Sequence, residues 1–317
     1  MFLKKTSGYA PSHITSFFTI SDDSLPVLQR GSMGVGFTLN RGVTTTIRYK
    51  KKQKNLTLRI NREKIFDAKV SMLVINNFLQ LISQKYPSKN IEDIFSHLQI
   101  DHKIFLPLSS GFGTSAAGAL SLAFAFNKMF GLGLNDIKLA HIAHCCEIEA
   151  QTGLGTIAGT YSGGMEHRVT SGAPGIAIIN PILYPSTLRV HIFYFGAFPT
   201  PTALANGKNK NQIKEIGNVI IKKFETKKTW KSAQQLATLF TKESGLLPDQ
   251  LKSLFNYLES YNLYPAMLLF GNGLYFLYHS YDAKKIKKIV KRIKKMNYNV
   301  KKEFDLQIDS KGARYEL

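Results

Sequence analysis

The chain has 317 residues, 44% of them hydrophobic, and a formal net charge of +21, which fits one large globular domain or two ordinary ones. No uncharged apolar run reaches about 18 residues, so we expect no membrane-spanning helix. The adjacent cysteines Cys145 and Cys146 provide no disulfide framework, and CxxC and HExxH motifs are absent from the sequence. No apolar segment follows the N-terminal lysines, so we expect no signal peptide and a cytoplasmic location.

The positive charge is concentrated in two stretches, residues 48–55 (RYKKKQKN) and residues 283–302 (AKKIKKIVKRIKKMNYNVKK). The second stretch predicts an amphipathic helix with solvated lysines, because four apolar residues recur at helical spacing: Ile286, Ile289, Val290 and Ile293. The basic residues are not interleaved with aromatic residues as in a base-stacking surface. We therefore expect no nucleic-acid interface.

The first half predicts strands followed by helices. An aromatic-rich strand covers residues 13–20, and β-branched runs at 42–50 and 55–61 predict a hairpin with the basic loop KKKQKN. A helix at 71–86 and a short buried strand at 102–108 follow. Two further helices are predicted at 113–131, capped by Thr114 or Ser115 and stopped by Gly131, and at 135–153, capped by Asn135 and stopped by Gly153.

The second half begins after a long glycine-rich passage, residues 152–181, which we expect to be a functional loop that ends in a strand near GIAIIN. From about residue 185 we expect a strand (LRVHIFYFG), three helices, a hairpin in residues 265–280, the basic helix and a last strand. The chain therefore divides into two α+β halves, residues 1–185 and 186–317.

The stretch PLSSGFGTSAAGALSLAF, residues 107–124, contains glycines and hydroxyls where a strand leads into a helix. Helix N-termini bind anions through unpaired N–H groups, and glycines let a phosphate approach the backbone. The stretch lacks the lysine of a Walker A loop and is not GxGxxG. On these grounds alone, it is either a phosphate-binding loop or a tight strand-to-helix turn.

The segment PLSSGFGTSAA resembles the second motif of the GHMP kinases, with Phe112 in place of leucine. YAPSHITSFF resembles their first motif, and LFGNGLYFL is a degenerate form of their third. Further segments resemble archaeal pantoate kinases: GSMGVGFTLNRGVTT, AHIAHCCEIEAQTGLGTIAG, GGMEHRV and GAPG. The resemblance implies a two-domain GHMP kinase fold of class α+β, with a ribosomal S5 domain 2-like N-terminal domain and a ferredoxin-like C-terminal domain.

This resemblance also implies roles for individual residues. ATP phosphates are expected at Pro107, Ser110, Gly111, Gly113, Thr114, Ser115 and Ala116. Mg²⁺ is expected at Ser115 and Glu147, with Glu149 as the competing carboxylate. Acceptor contacts are expected at His13, Ser32, His144 and Arg168, with Arg30 and His141 as weaker candidates. Arg168 suits a carboxylate, because its guanidinium is a planar fork of donors.

The sequence departs from the family at the general base. Pantoate kinases tend to have GLGD where this chain has GLGT, so Thr156 replaces an expected aspartate, and a threonine is not a base at neutral pH. Three explanations stay open. Glu166 takes over the role, no protein base is used, or the acceptor differs. Catalytic roles are thus predicted for Glu147, Ser115, Glu166 and Thr156.

The resemblance implies phosphorylation of the primary alcohol of pantoate, a small hydroxy acid, by ATP and Mg²⁺ on the archaeal route to coenzyme A. A GHMP kinase acting on mevalonate 3-phosphate is the alternative. A non-catalytic ATP-binding regulator and a basic RNA-binding module are further alternatives, and an intact Ser115 and Glu147 argue against a pure regulator. We expect no membrane partner, and a homodimer is compatible with the sequence.

Overall fold

The computed structural model describes residues 2–21, 24–65, 67–153, 155–196, 207–296 and 298–316. Within these ranges two antiparallel-rich sheets are covered by helices. None of the described helices combines the length and the apolar character needed to cross a bilayer.

The first sheet has the strand order β12-β1-β2-β5-β3-β4, with β6 and β7 attached beside β2. Its strands are β1 (Lys5–Ile20), β2 (Ser32–Tyr49), β3 (Thr57–Ile60), β4 (Glu63–Lys64), β5 (Leu98–Ile104), β6 (Met165–Arg168), β7 (Ile179–Pro181) and β12 (Arg314–Glu316). Its helices are α1 (Lys69–Lys85), α2 (Ile91–Ser96), α3 (Thr114–Phe130), α4 (Asp136–Ala150) and α5 (Thr156–Ser162).

Helix α3 is the central helix of this half, and nearly all of its residues are buried. Its small side chains follow from how close it lies to β1. A side chain at Gly8 of β1 would collide with the backbone carbonyl of Ser121. The helix begins after Gly113, whose φ of +60° lies in the left-handed region, and ends at Gly131 as predicted. The predicted hydroxyl cap is wrong, because Thr114 and Ser115 lie inside the first turn.

Three other predictions of local structure need correction. The predicted hairpin is wrong, because β5 lies between β2 and β3 and pairs parallel to β3. The loop between β2 and β3 has no tight-turn dipeptide that would pair these two strands. Apolar pairs such as Ile47 with Ile100 determine instead which strands are adjacent in the sheet. The buried strand covers Leu98–Ile104 rather than 102–108. The glycine-rich passage is not one loop, because it contains α5 and β6.

The predicted cap of α4 is confirmed, since the Asn135 Oδ1 accepts the Lys138 N–H at 2.9 Å. The helix ends before Gly153, at Gln151, which has a φ of +57°.

The second sheet has the order β11-β8-β10-β9, formed by β8 (Leu188–Gly196), β9 (Ala266–Met267), β10 (Asn272–His279) and β11 (Lys302–Leu306). Its helices are α6 (Gly207–Glu225), α7 (Trp230–Glu243), α8 (Asp249–Glu259) and α9 (Ala283–Lys295). The order 4-1-3-2 is that of a ferredoxin-like sheet, and α9 buries the four apolar residues predicted for the basic helix. Strand β12 then returns to pair with β1, across the predicted boundary. The division at residue 185 stays a prediction.

A buried polar network lies in the first half, between sheet and helices. The Thr45 hydroxyl is bonded to His102 Nδ1 at 2.7 Å and to the Ser121 hydroxyl at 2.6 Å. Ser71 lies 3.2 Å from His102 Nε2, so both ring nitrogens have partners. Burial lowers the pKa of His102 from 6.5 to about 4, so the folded protein holds this histidine neutral.

We expect this histidine to make stability depend on pH. The unfolded chain takes up a proton near pH 6.5 and the folded chain only near pH 4, so the contribution is complete above pH 6.5 and is lost as pH falls toward 4. The loss approaches about 3 kcal/mol. Urea unfolding of the wild type and of His102→Gln at pH 7.5 and 4.5 tests this. The variant should lose less stability on acidification, and equal losses would contradict the prediction.

Candidate active site

The predicted phosphate loop is a tight turn that both halves of the chain hold in place. Gly111 and Gly113 have φ values of +78° and +60°. A side chain at Gly111 would lie 2.7 Å from the Leu269 carbonyl oxygen in the second half. Phe112 is buried, and its carbonyl accepts the His13 N–H at 2.9 Å. The loop therefore presents the start of α3 on a rigid base, as an anion site requires.

The hydroxyls of this loop have different surroundings. Ser110 is buried, and its hydroxyl donates to the Leu108 carbonyl at 2.7 Å and lies 3.2 Å from the Tyr194 hydroxyl. Ser115 is half-buried and donates to the Thr152 hydroxyl at 3.2 Å. Ser110 thus braces the loop, whereas Ser115 points toward the end of α4. Of the other predicted phosphate residues, Thr114 and Ala116 are buried and Pro107 is half-buried.

Glu147 is a buried carboxylate, only 2% exposed, near the end of α4. Burial raises its pKa from 4.5 to about 7, and a backbone hydrogen bond from Ile157 acts in the opposite direction. Its Oε2 has no partner among the described residues, and a side chain at Gly153 would collide with Oε1. Glu149, the competing carboxylate, is exposed.

This arrangement fits a bound divalent cation. A buried carboxylate oxygen without a partner is unfavourable, and Mg²⁺ would satisfy it. Thr152 connects the two predicted ligands, because its hydroxyl accepts from Ser115 and its N–H donates to the Glu147 carbonyl at 3.3 Å. The described residues contain no group of three metal-ligating side chains, so the cation would rely on Glu147, Ser115 and the phosphates of the nucleotide.

His13, Glu166 and Arg168 form one buried cluster. His13 Nε2 donates to Glu166 Oε1 at 2.8 Å, and Arg168 donates to the same oxygen. His13 Nδ1, Glu166 Oε2 and Arg168 Nε are buried with no partner in the described part of the chain. Arg168 is therefore not a surface arginine, and burial lowers its pKa while the Glu166 carboxylate raises it.

Two glycines that the sequence did not single out make room for this cluster. A side chain at Gly159 of α5 would lie 2.5 Å from His13 Nε2 and 2.7 Å from Glu166 Oε1. A side chain at Gly36 of β2 would lie 2.5 Å from the His13 ring. The His13 ring is thus packed between β2 and α5, each of which has a glycine at the contact.

We expect Gly159→Ala to lower the free energy of unfolding by about 2 kcal/mol, because the added methyl overpacks a fully buried site. Thermal and urea unfolding measure the change. Gly118→Ala in α3 is the matched control, because a side chain there meets nothing within 4 Å. It should instead gain about 0.5–1 kcal/mol from the helix preference of alanine. Equal effects of the two substitutions would contradict the packing argument.

Ser32 is the first residue of β2, and His144 of α4 contacts the segment that precedes this strand. Gly155, with a φ of +115°, packs against Ser32. A Cβ atom added at Gly155 would lie 3.0 Å from the Ser32 hydroxyl oxygen. His144 is buried, and its Nε2 donates to the Val27 carbonyl at 3.2 Å. Burial lowers the pKa of His144.

The two weaker acceptor candidates both bind backbone carbonyls. Arg30 donates to the Leu25 carbonyl at 2.6 Å, and His141 donates to the Pro174 carbonyl at 2.8 Å.

Thr156 begins α5 directly beside the phosphate loop. A Cβ atom added at Gly113 would lie 2.7 Å from the Cγ2 of Thr156 and 3.3 Å from the Cβ of His13. The structure thus brings His13, Thr156 and the loop together around Gly113. Glu166 is behind His13, only 1% exposed. Sequence reasoning missed Thr152, Tyr194, Gly36 and Gly159, which nothing in the local pattern distinguishes from other small or aromatic residues. It named Gly153 only as a helix stop and missed its contact with Glu147.

Comparison with known proteins supports the fold inferred from the motifs. Residues 74–164 match the family of GHMP kinases N terminal domain. The chain has the GHMP kinase fold, which confirms the fold class and the resemblance predicted from the motifs.

Over most of its length the chain is similar to archaeal pantoate kinases. It is 26% identical to pantoate kinase of Thermococcus kodakarensis over 89% of this chain and 91% of that protein. It is 28% identical to pantoate kinase of Methanocaldococcus jannaschii over 84% and 90%. A solved structure described as a phosphotransferase related to the CoA biosynthesis pathway superposes with a TM-score of 0.79 at 23% identity, covering 98% of each chain. Mevalonate-3-kinase from Thermoplasma acidophilum superposes at 0.67 and 15% identity, covering 100% and 99%.

Proposed function

We propose that this chain is a pantoate kinase that transfers the γ-phosphoryl group of ATP to the primary alcohol of pantoate. The observation that carries the choice of acceptor is the similarity to pantoate kinases over 84–89% of the chain. The likeness to mevalonate-3-kinase supports only the shared fold. The sequence-based prediction of an ATP-dependent kinase with an alcohol acceptor therefore stands.

The site residues can support this transfer by positioning and electrostatics, which dominate phosphoryl transfer. In our proposal the N–H groups at the start of α3 bind the phosphates. Glu147 and Ser115 hold Mg²⁺, which neutralises charge on the phosphate oxygens when bound. Arg168, which shares Glu166 with His13, is the proposed partner of the acceptor carboxylate, and its Nε is an unused donor among the described residues.

Glu166 is a poor candidate for the missing general base. One carboxylate oxygen already accepts from His13 and Arg168, and the side chain is almost completely buried. We therefore propose that no protein base removes the alcohol proton in this chain. Because Thr156 cannot accept this proton, the proton passes to solvent. Ser32 and His144 are proposed to shape the acceptor side of the site, His144 by supporting the segment around Val27.

The test is an acceptor screen with purified protein, ATP and Mg²⁺. ADP release is measured with pantoate, mevalonate, mevalonate 3-phosphate and homoserine, and ³¹P NMR identifies the product. We expect pantoate to give the highest kcat/KM and a phosphomonoester on its primary alcohol. A preference for mevalonate 3-phosphate, or ADP release independent of any acceptor, would overturn the proposal. A cytoplasmic location and a homodimer stay predictions.

A further inference from the structure

A surface cavity of about 330 Å³ lies in the second half of the chain, between α9 and strands β8, β10 and β11. We call it the α9 groove. His191 of β8 and Tyr278 of β10 line it from the sheet, and Lys287 and Lys291 line it from the helix. Its size suits a small organic ligand, and nothing in the proposed kinase reaction uses it.

The charges around the α9 groove favour an anion. Its two carboxylates already have partners. Asp305 accepts from Arg189 at 3.1 Å and from the Tyr278 hydroxyl at 2.8 Å, and Glu303 pairs with Lys294 at 3.2 Å. Lys287 and Lys291, one helical turn apart, have no ion-pair partner in the described ranges. Two free ammonium groups on one face of a helix suit a phosphate group.

His191 is a second, independent observation. It is only 6% exposed and packs against the rings of Phe193 and Phe276. Its Nε2 has no hydrogen-bond partner among the described residues. Burial lowers its pKa to about 4, so the ring is neutral near pH 7. A buried polar ring at the edge of a cavity is unfavourable unless a ligand or water completes its hydrogen bonds.

A second cavity, of about 390 Å³, adjoins the α9 groove and shares Lys294 and Glu303 with it. Tyr298, Lys301 and Lys302 line this extension. The basic surface therefore continues beyond the first cavity, so a ligand with more than one anionic group can contact both parts.

The strands that line the α9 groove also hold the phosphate loop from their other face. On β11, Glu303 and Asp305 line the groove, while Phe304 between them packs on Phe112 with ring centroids 6.0 Å apart. On β8, His191 lines the groove and Tyr194 contacts the loop. The groove and the loop are thus on opposite faces of the same two strands.

We propose that the α9 groove binds a small phosphate-bearing organic anion, with Lys287 and Lys291 on the phosphate, and that its occupancy changes nucleotide affinity at the phosphate loop. The binding step is independent of the proposed kinase activity. The coupling step rests on the nucleotide site of the proposed function. A ligand that moves β8 or β11 alters the contacts of Tyr194 and Phe304 with the loop, which is the physical link between the two sites.

The binding step is tested by calorimetric titration of inorganic pyrophosphate into protein saturated with ADP and Mg²⁺, which occupy the phosphate loop. We expect binding by the wild type and at least tenfold weaker binding by the double variant Lys287→Gln/Lys291→Gln. The double variant Lys285→Gln/Lys288→Gln is the matched control, because it removes the same charge from exposed α9 positions outside the cavity. It should bind as the wild type does. Absence of binding by the wild type, or equal weakening in both variants, overturns the proposal.

The coupling step is tested by measuring ADP affinity with and without pyrophosphate. Direct competition at the phosphate loop affects all three proteins alike, so a difference between the wild type and the groove variant measures the coupling. Adding pyrophosphate changes the ADP dissociation constant of each protein by some factor. We expect this factor to be the same for the wild type and the control, and to differ at least threefold from the factor for Lys287→Gln/Lys291→Gln. Identical responses in the three proteins overturn the coupling. A kinase-inactive chain that still binds pyrophosphate in this pattern would overturn the proposed function and support the site.

Discussion

Replacing Glu147 with glutamine is expected to lower the rate of phosphoryl transfer by at least about 100-fold without weakening the fold. Glu147 is the buried carboxylate whose Oε2 lacks a partner, and glutamine offers a neutral oxygen that binds Mg²⁺ poorly. Losing charge stabilisation of the transferred group has effects of this size. Steady-state kcat with saturating ATP and pantoate measures the loss.

The same substitution should change how stability depends on pH. Burial raises the pKa of Glu147 from 4.5 to about 7 in the folded protein, so the contribution of this residue to stability is greatest below pH 4.5 and declines as pH rises to 7. The decline approaches about 3 kcal/mol, and Glu147→Gln should lack it. Mg²⁺ at pH 8 should raise the melting temperature of the wild type but not of the variant.

Glu149→Gln is the control, because this neighbour on α4 is exposed. It should keep both the activity and the pH dependence of the wild type. If Glu149→Gln were inactive and Glu147→Gln active, the assignment of the metal carboxylate would be reversed. A loss of Mg²⁺ stabilisation in both variants would point to a general effect of charge rather than to a site.

The parts of the fold that sequence predicted are those encoded by local chemistry. Gly131 ends α3 because it adopts a left-handed conformation without strain, and Asn135 starts α4 because its side chain accepts a backbone N–H. The apolar spacing of α9 was sufficient to identify its buried face. Each of these signals lies within one or two helical turns of the chain.

Pairings between distant residues could not be predicted in the same way. Strand β5 is inserted between β2 and β3 because of apolar contacts across some 50 residues, and β12 reaches back to β1 from the end of the chain. His13 and Glu166 are separated by 153 positions, yet they share one buried hydrogen bond. The motif resemblance named both residues, but only the fold shows that they form one cluster with Arg168.

Thr156→Asp is expected to raise kcat, by about tenfold or more. A positioned general base contributes typically 10²–10⁴-fold, and in our proposal this chain has none. Thr156 begins α5 beside Gly113, next to the phosphate loop, and an aspartate at a helix start is favoured by the helix dipole. The rate should rise with pH until the new carboxylate is ionised, which kcat measured from pH 4 to 9 would show.

Thr156→Asn separates the base from the shape of the side chain, because asparagine has nearly the same size as aspartate and cannot accept the proton. It should leave kcat close to that of the wild type. If Thr156→Asp brought no gain and Glu166→Gln abolished turnover while the fold and ATP affinity persisted, Glu166 would be the base despite its burial. Because Glu166 also holds His13 and Arg168, the KM for pantoate in that variant must be compared with its kcat. Loss of positioning raises KM, whereas loss of a base lowers kcat alone.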